Sequence, residues 1–205
     1  MIEERVDEGT PAGGQRERIV HATGKLFRDK GYYGASMADI GRAVGLEKGS
    51  LYSHITAKHE VLRELAERGA ALFLDGVAPI AASGDPTPLR LRAALRVHLR
   101  VVAHDSDLAT VFLQEWRHLD EDARCGIVRS RDRYELLWRD MVRDGVRDGA
   151  FGADTDVEAA VLLFLSAGNW AYQWFDPSGT LTPDEVADRF SALILRGLGQ
   201  RDGDE

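Results

Sequence analysis

Residues 37–55 read MADIGRAVGLEKGSLYSHI, and the spacing within them decides the fold. Met37, Ile40, Ala43 and Val44 fall at i, i+3, i+6 and i+7, which is one apolar face of a short helix. Ser36, just before it, is an N-cap residue, and Asp39 puts a carboxylate in the first turn, near the positive end of the helix. Gly45 breaks this helix and Leu46 anchors the turn. A further short helix is expected from about Glu47 to His54, with Leu51 and Ile55 facing inward. Two short helices around a glycine turn, behind a longer supporting helix, have the layout of a helix-turn-helix on a three-helix core.

The supporting helix is legible upstream. Ile19, Ala22, Leu26 and Phe27 form one stripe, and Lys30-Gly31 supplies a cation in the last turn and a glycine just beyond it. Residues 1–14 are acidic and poor in apolar side chains; they are expected to be a disordered tail rather than a signal peptide.

Downstream, helical periodicity predicts further helices over 57–77, 89–103, 108–119, 122–149 and 156–175. The last of these is apolar nearly all round. Gly84, Pro86 and Pro88 mark a loop over 81–88, and residues 176–179 (DPSG) mark a turn. Thr182, Pro183 and Glu185 form a capping-box signature that starts the final helix. No alternation with a period of two persists, so the expected class is all-α. The expected division is a helix-turn-helix domain over 15–59 and a larger helical domain over 60–205.

Composition narrows the function. The chain has 205 residues and a net charge of −8, which taken whole argues against nucleic acid as a partner. Divided by segment, residues 1–14 carry −3, residues 15–59 carry +4 and residues 60–205 carry −9. The helix-turn-helix segment is therefore the basic part. A lone cysteine, Cys125, excludes a disulfide framework and a Cys-based zinc module. The longest apolar run is the seven residues Ala159–Leu165, far below the ~20 that span a bilayer, so no membrane partner and a cytoplasmic location are expected. His98 and His104 are six apart, on different faces of a helix, and His118 near Glu115 is within reach of a ligand or a metal but reads more simply as a surface histidine, so no metal is expected. No nucleophile elbow, phosphate loop or paired catalytic motif occurs, so neither an enzyme nor a cofactor is expected.

Gly49 removes a side chain near the start of the recognition helix, which lets backbone approach DNA closely. Lys48, Ser50, Tyr52 and His54 all carry donors for phosphate oxygens. Lys58 opens the next helix, where backbone N–H groups and a cation together favour a phosphate.

These residues resemble the TetR family of bacterial transcriptional repressors. The resemblance rests on ATGKLFRDKG (22–31), on Ser36–Ile40, and above all on GLEKGSLYSHI (45–55) followed by Lys58 and Glu60. It implies a homodimer with a three-helix DNA-binding domain and a helical C-terminal domain that binds a small effector and releases DNA. By position it implies phosphate contacts from Ser36, Lys48, Tyr52, His54 and Lys58, and base-facing positions at Glu47, Gly49 and Ser50. The chain departs from the family at Ile55, where an aromatic is usual, and at Ala57 and His59, where a Ser or Asn cap and a Glu are usual. Thr56 is then the candidate cap of the fourth helix.

The C-terminal part holds all four tryptophans, in EWRHL (115–119), in RDRYE (131–135) with Trp138, and in NWAYQWFDPSG (169–179). Aromatic walls with a few polar groups suit an apolar ligand with a polar handle; a stripe of core or dimer interface is the plain alternative. Candidate effector residues are Phe112, Gln114, Trp116, Trp138, Asn169, Trp170, Gln173 and Trp174, with Trp170 and Trp174 sharing one helix face at i, i+4. The three segments resemble the TetR subgroup that controls fatty-acid and sterol-ring degradation and answers to acyl-CoA thioesters. That resemblance implies a CoA-thioester effector, with arginines suited to the CoA phosphates; the alternative is a repressor of an efflux or other catabolic operon that senses a different hydrophobic or cationic compound. The last two helices are expected to form the dimer contact through Leu163, Val186, Phe190, Leu193 and Ile194, as a four-helix bundle across the two subunits. A two-fold dimer would space its recognition helices about 34 Å, one DNA turn, or a multiple apart on a near-palindromic operator.

Overall fold

A computed structural model describes residues 14–176 and 178–199. The expected disordered tail lies outside the described residues except for Gly14, as does Pro177 of the expected turn. The helices are α1 (Gln15–Gly34), α2 (Met37–Val44), α3 (Lys48–Tyr52), α4 (Lys58–Ala81), α5 (Thr87–His104), α6 (Ser106–Leu113), α7 (Glu121–Arg147), α8 (Val157–Asn169), α9 (Ala171–Trp174) and α10 (Pro183–Gly199). A 3₁₀ turn over Glu115–His118 joins α6 to α7, and no strand occurs among the described residues. The all-α expectation holds.

The three N-terminal helices form as their caps direct. Gly31 takes φ +71°, a left-handed conformation that bends α1 where a stop is expected. Ser36 Oγ accepts from the Asp39 N–H at 3.1 Å and Asp39 Oδ2 accepts from the Ser36 N–H at 3.0 Å, a complete capping box that holds the Asp39 carboxyl down at about 2. Gly45 closes α2 in the left-handed region. Ile19, Phe27, Ile40, Leu51 and Ile55 are all buried beneath the three helices.

Three predicted helices are modified. α3 spans five residues rather than the eight expected, because the Ser53 hydroxyl donates to the Ser50 carbonyl at 2.7 Å and competes for the next helical bond. The helix expected over 108–119 stops at Leu113. Gln114 leaves the helical region (φ −129°), and the 3₁₀ turn carries Glu115 to the Tyr32 N–H. The apolar helix expected over 156–175 is interrupted at Trp170, after which α9 leans on α5 and α6. At the start of α4 the N-cap position is Ala57, without a side-chain cap; Thr56 lies one residue earlier and donates its N–H and hydroxyl to Glu60 Oε2 at 3.1 and 3.0 Å.

The C-terminal helices gather around a chain of rings. Phe73 of α4 stacks on Phe112 of α6 at 5.3 Å, and His98 of α5 lies 4.8 Å from Phe73. Trp138 of α7 bridges Tyr134 at 6.2 Å and Phe164 of α8 at 5.5 Å. α10 closes the assembly on α5, where Arg96–Asp188 and Arg100–Asp184 pair the two helices. Each exposed pair of this kind contributes at most about 1 kcal/mol, so the rings and the aliphatic core carry the packing.

His98 is fully buried. Its Nδ1 lies 2.9 Å from the Tyr134 hydroxyl, and its ring rests against Gly168, where a β-carbon would come within 2.7 Å. Burial pushes the imidazole down to about 4, because a charged ring there would lose its hydration. A depressed histidine resists protonation only in the folded state. Stability should therefore be complete above the unfolded value near 6.5 and decline as pH falls from there toward about 4. Urea unfolding across that window should show a loss of order 1–3 kcal/mol, and His98→Phe should flatten the dependence. An identical slope in the variant would assign the loss to other groups.

Candidate DNA-contact surface and effector cleft

The expected DNA-contact residues lie together at one end of the molecule. Glu47, Lys48, Gly49, Ser50 and Tyr52 are exposed on and beside α3, and His54 is half-buried just after it. A β-carbon at Gly49 would meet nothing within 4 Å, so that backbone is open to solvent. Lys48 Nζ stands 6.0 Å from the Tyr52 ring centroid, a loose cation–π approach that leaves its N–H groups outward. The Ser36 hydroxyl is already committed to the capping box.

Lys58 differs from the expectation of a plain phosphate contact. Its Nζ donates to the Tyr32 carbonyl at 2.6 Å and the Ala35 carbonyl at 2.9 Å, and stands 4.1 Å from the Tyr32 ring centroid. Two of its three N–H groups thus satisfy carbonyls at the α1–α2 junction, which the Gly31 bend leaves without helical partners.

Two adjoining cavities open among α6, the 3₁₀ turn, α7, α8 and α9. The smaller, of about 430 Å³, is walled by Phe112, Arg131, Tyr134, Val161, Leu162 and Leu165. The larger, of about 880 Å³, is walled by Gln114, Glu115, Arg117, His118, Trp170 and Tyr172. Leu113, Arg131, Ser166 and Asn169 border both, so they form one continuous cleft. Of the effector residues expected from sequence, Phe112, Gln114, Asn169 and Trp170 border this cleft. Trp116 lies half-buried beside it, 5.1 Å from both the Arg117 and Arg131 guanidinium carbons. Trp138 does not border it: the ring is fully buried in the core. Gln173 and Trp174 are exposed on α9, and the break at Trp170 separates the two tryptophans expected on one face. Trp170 packs edge-on to Tyr172, whereas Trp174 lies against Phe190 of α10.

Sequence reading passed over several cleft residues. Arg131 sits in RDRYE among other charged residues, and no local spacing distinguishes it from Arg129 or Arg133. Its position depends on where α6 lies. Glu115 and His118, which the sequence places within reach of a ligand but reads more simply as surface, have a second role. Glu115 Oε2 accepts the Tyr32 N–H at 2.7 Å, and His118 stacks on Tyr32 at 5.6 Å and meets Tyr33 edge-on at 4.6 Å. Both residues also border the larger cavity.

Of the expected dimer residues, Val186 and Ile194 turn into this chain's own core, at 4% and 8% exposure, and Phe190 is half-buried. Leu163 and Leu193 face outward at 53% and 66%, with Leu162 beside them. Among the described residues no group of three or more metal-binding side chains forms, and no helix is long and apolar enough to cross a membrane.

A basic helix-turn-helix joined by one long helix to a ring-packed, cleft-bearing bundle is the architecture of a ligand-responsive DNA-binding regulator. Residues 19–65 match the family described as bacterial regulatory proteins, tetR family, and residues 84–198 match the tetracyclin repressor-like C-terminal domain. The chain belongs to the TetR family: it is a transcriptional repressor of that family, with a DNA-binding helix-turn-helix in its N-terminal helices. It is 29% identical over 198 residues to the HTH-type transcriptional repressor KstR2 of Rhodococcus jostii (strain RHA1), covering 94% of this chain and 95% of that one. It is similar to the crystal structure of the TetR family regulator PfmR from Thermus thermophilus, with TM-score 0.80, 33% identity, and coverage of 89% of this chain and 100% of that one. It is also similar to AibR in complex with isovaleryl coenzyme A and operator DNA, with TM-score 0.79, 26% identity, and coverage of 88% and 97%.

The two lysines should separate in experiment. Lys48→Ala should weaken binding to all DNA sequences alike and lower the salt slope of log K by about one unit. Lys58→Ala should change that slope less and instead lower the unfolding free energy by about 1–3 kcal/mol, through its orphaned carbonyls. Salt-dependent fluorescence anisotropy and urea melts on both variants check this; equal slopes and unchanged melts would restore Lys58 as a phosphate contact.

Proposed function

We propose that this repressor binds a near-palindromic operator as a homodimer and is released by a small apolar effector carrying a polar group, an acyl-CoA thioester from lipid or sterol degradation. In this reading residues 15–59 are the DNA-binding domain and residues 60–205 the effector-binding and dimerisation domain. Lys48, Tyr52 and His54 contact phosphates, and Glu47, Gly49 and Ser50 face bases. Phe112, Gln114, Trp116, Asn169 and Trp170 bind the effector.

The observation that carries the reading is the double role of the 3₁₀ turn. Glu115 and His118 border the cleft and also grip Tyr32 and Tyr33 at the end of α1. A ligand that rearranges this turn changes how the recognition helix is held. Release requires tighter ligand binding to the conformer unsuited to DNA, with couplings of about 1–3 kcal/mol typical. The complexed relative AibR carries isovaleryl coenzyme A, which supports the ligand class. The cleft wall carries both signs: Arg131 and Arg117 stand on it with Asp132 and Glu115, while Glu135 and Glu158 are both held by Arg139. The outward apolar row Leu162, Leu163 and Leu193 supports dimerisation through α8 and α10.

Gel-shift titration with a series of acyl-CoAs tests the coupling. A responsive ligand should weaken operator binding by about 5- to 150-fold. In Glu115→Ala the same ligand should bind within threefold of wild type yet release operator far less. Saturating ligand without loss of operator affinity in the wild type would refute the mechanism. For the dimer, Leu163→Glu with Leu193→Glu should sediment as a monomer with its helical content intact; a dimer that persists would move the interface elsewhere.

A further inference from the structure

Several arginines of the C-terminal helices have carboxylate partners: Arg90 pairs with Asp144, Arg139 with Glu135 and Glu158, and Arg143 with Asp140. Arg131 forms no ion pair among the described residues, although its side chain is largely buried at the junction of the two cavities. It spends one N–H on the Phe112 carbonyl at 3.0 Å. Arg117 is likewise without a carboxylate and makes one contact at 3.3 Å, to the Gln114 carbonyl. Both guanidinium carbons lie 5.1 Å from the Trp116 ring centroid, and the indole Nε1 is buried without an acceptor.

The cluster is rich in donors and lacks an acceptor. An arginine carries five N–H donors and no acceptor, so most of those on Arg131 are unspent. Burial, and then the charge of Arg117, push the Arg131 pKa below its usual value, against the weaker opposing pull of Glu135 and Asp132. The nearby acids form no ion pair with either arginine among the described residues: Asp132, Glu135 and Glu158 border the smaller cavity, where Glu135 and Glu158 bind Arg139, and Glu115 accepts the Tyr32 N–H.

We propose that Arg131 and Arg117 form an oxyanion subsite that takes a phosphate or carboxylate group of the effector, whose apolar part lies in the smaller cavity along Val161, Leu162 and Leu165. This rests on reading the cleft as the effector site. It makes the bound species an anionic amphiphile, and it places the charge beside Trp116, inside the turn that holds α1. A guanidinium fork suits both phosphate and carboxylate oxygens in a bidentate contact.

The test uses the full chain and three probes with one acyl length: decanoyl-CoA, decanoate, and the uncharged thioester decanoyl-N-acetylcysteamine. Calorimetric titration of the wild type should show at least one anion binding about tenfold or more tighter than the neutral thioester, with a preference that fades as salt rises. Decanoyl-CoA over decanoate identifies phosphate as the anion, and the reverse order identifies carboxylate. Arg131→Gln should remove most of the preference while the neutral probe stays within threefold of wild type, and Arg131→Lys should recover part of it. Should Arg131→Gln fail to fold, the exposed Arg117→Gln carries the same expectation.

A wild type that binds all three probes alike overturns the subsite but leaves the cleft as the effector site. An Arg131→Gln variant that loses all three equally shows that the arginine only pins the Phe112 carbonyl. If no probe binds the wild type, the cleft reading falls and the subsite with it.

Discussion

At Gly69 the helices α4 and α6 cross so closely that a β-carbon would sit 2.7 Å from the Leu108 carbonyl oxygen and 2.9 Å from the Phe112 β-carbon. Only a residue without a side chain permits that approach. The crossing sets the height of α6 along α4, and much of the molecule follows from it. It stacks Phe112 on Phe73, starting the chain of rings that orders α5, α7 and α8. It also sets where the 3₁₀ turn begins, and so allows the Glu115 carboxylate to reach the Tyr32 N–H. α1 thereby meets α6 and the 3₁₀ turn, with Arg28 donating to the Ser106 hydroxyl at 2.8 Å and the Tyr32 N–H to Glu115.

Much of the fold was legible because it rests on local rules. Ser36 with Asp39, Gly45, and Thr182 with Glu185 each act within four residues, and each makes the bonds its spacing foretells. The exposed donors of α3 were legible for the same reason. What local pattern does not carry is the identity of the neighbour. Trp138 and Trp170 belong to one aromatic composition, yet one is core and the other cleft, because α4, α5 and α8 pack on the helix that carries the first and the helix breaks at the second. Val186 and Ile194 share the apolar stripe of Leu193, but the stripe is wider than one contact, and its inner half is spent on α5. Arg131 is the sharpest case. Its meaning lies in the carboxylates it does not meet, and that is a property of tertiary placement.

Electrostatics divides labour along the chain. Residues 15–59 carry +4, whereas residues 60–205 carry −9. Many of those acids are neutralised locally by arginines, so the far field of the C-terminal helices is weaker than the count implies. The remainder still opposes any approach to a polyanion except through α3, within a screening length of about 8 Å at physiological salt. Within the acidic part, Arg131 and Arg117 bring two guanidiniums to the same indole, with no ion pair to either among the described residues.

The brevity of α3 has a consequence for how such a protein can change. Five residues are too few to be helical on their own, since the first turn costs more than it returns. The segment holds its shape because Leu51 and Ile55 are locked beneath it, while Glu47, Gly49 and Ser50 touch little else in the chain. In the proposed reading, duties of folding and of reading DNA therefore fall on different residues. New side chains can be tried at the outward positions with little penalty to the fold, so a lineage built on this scaffold can acquire a new target sequence by small steps without passing through an unfolded ancestor.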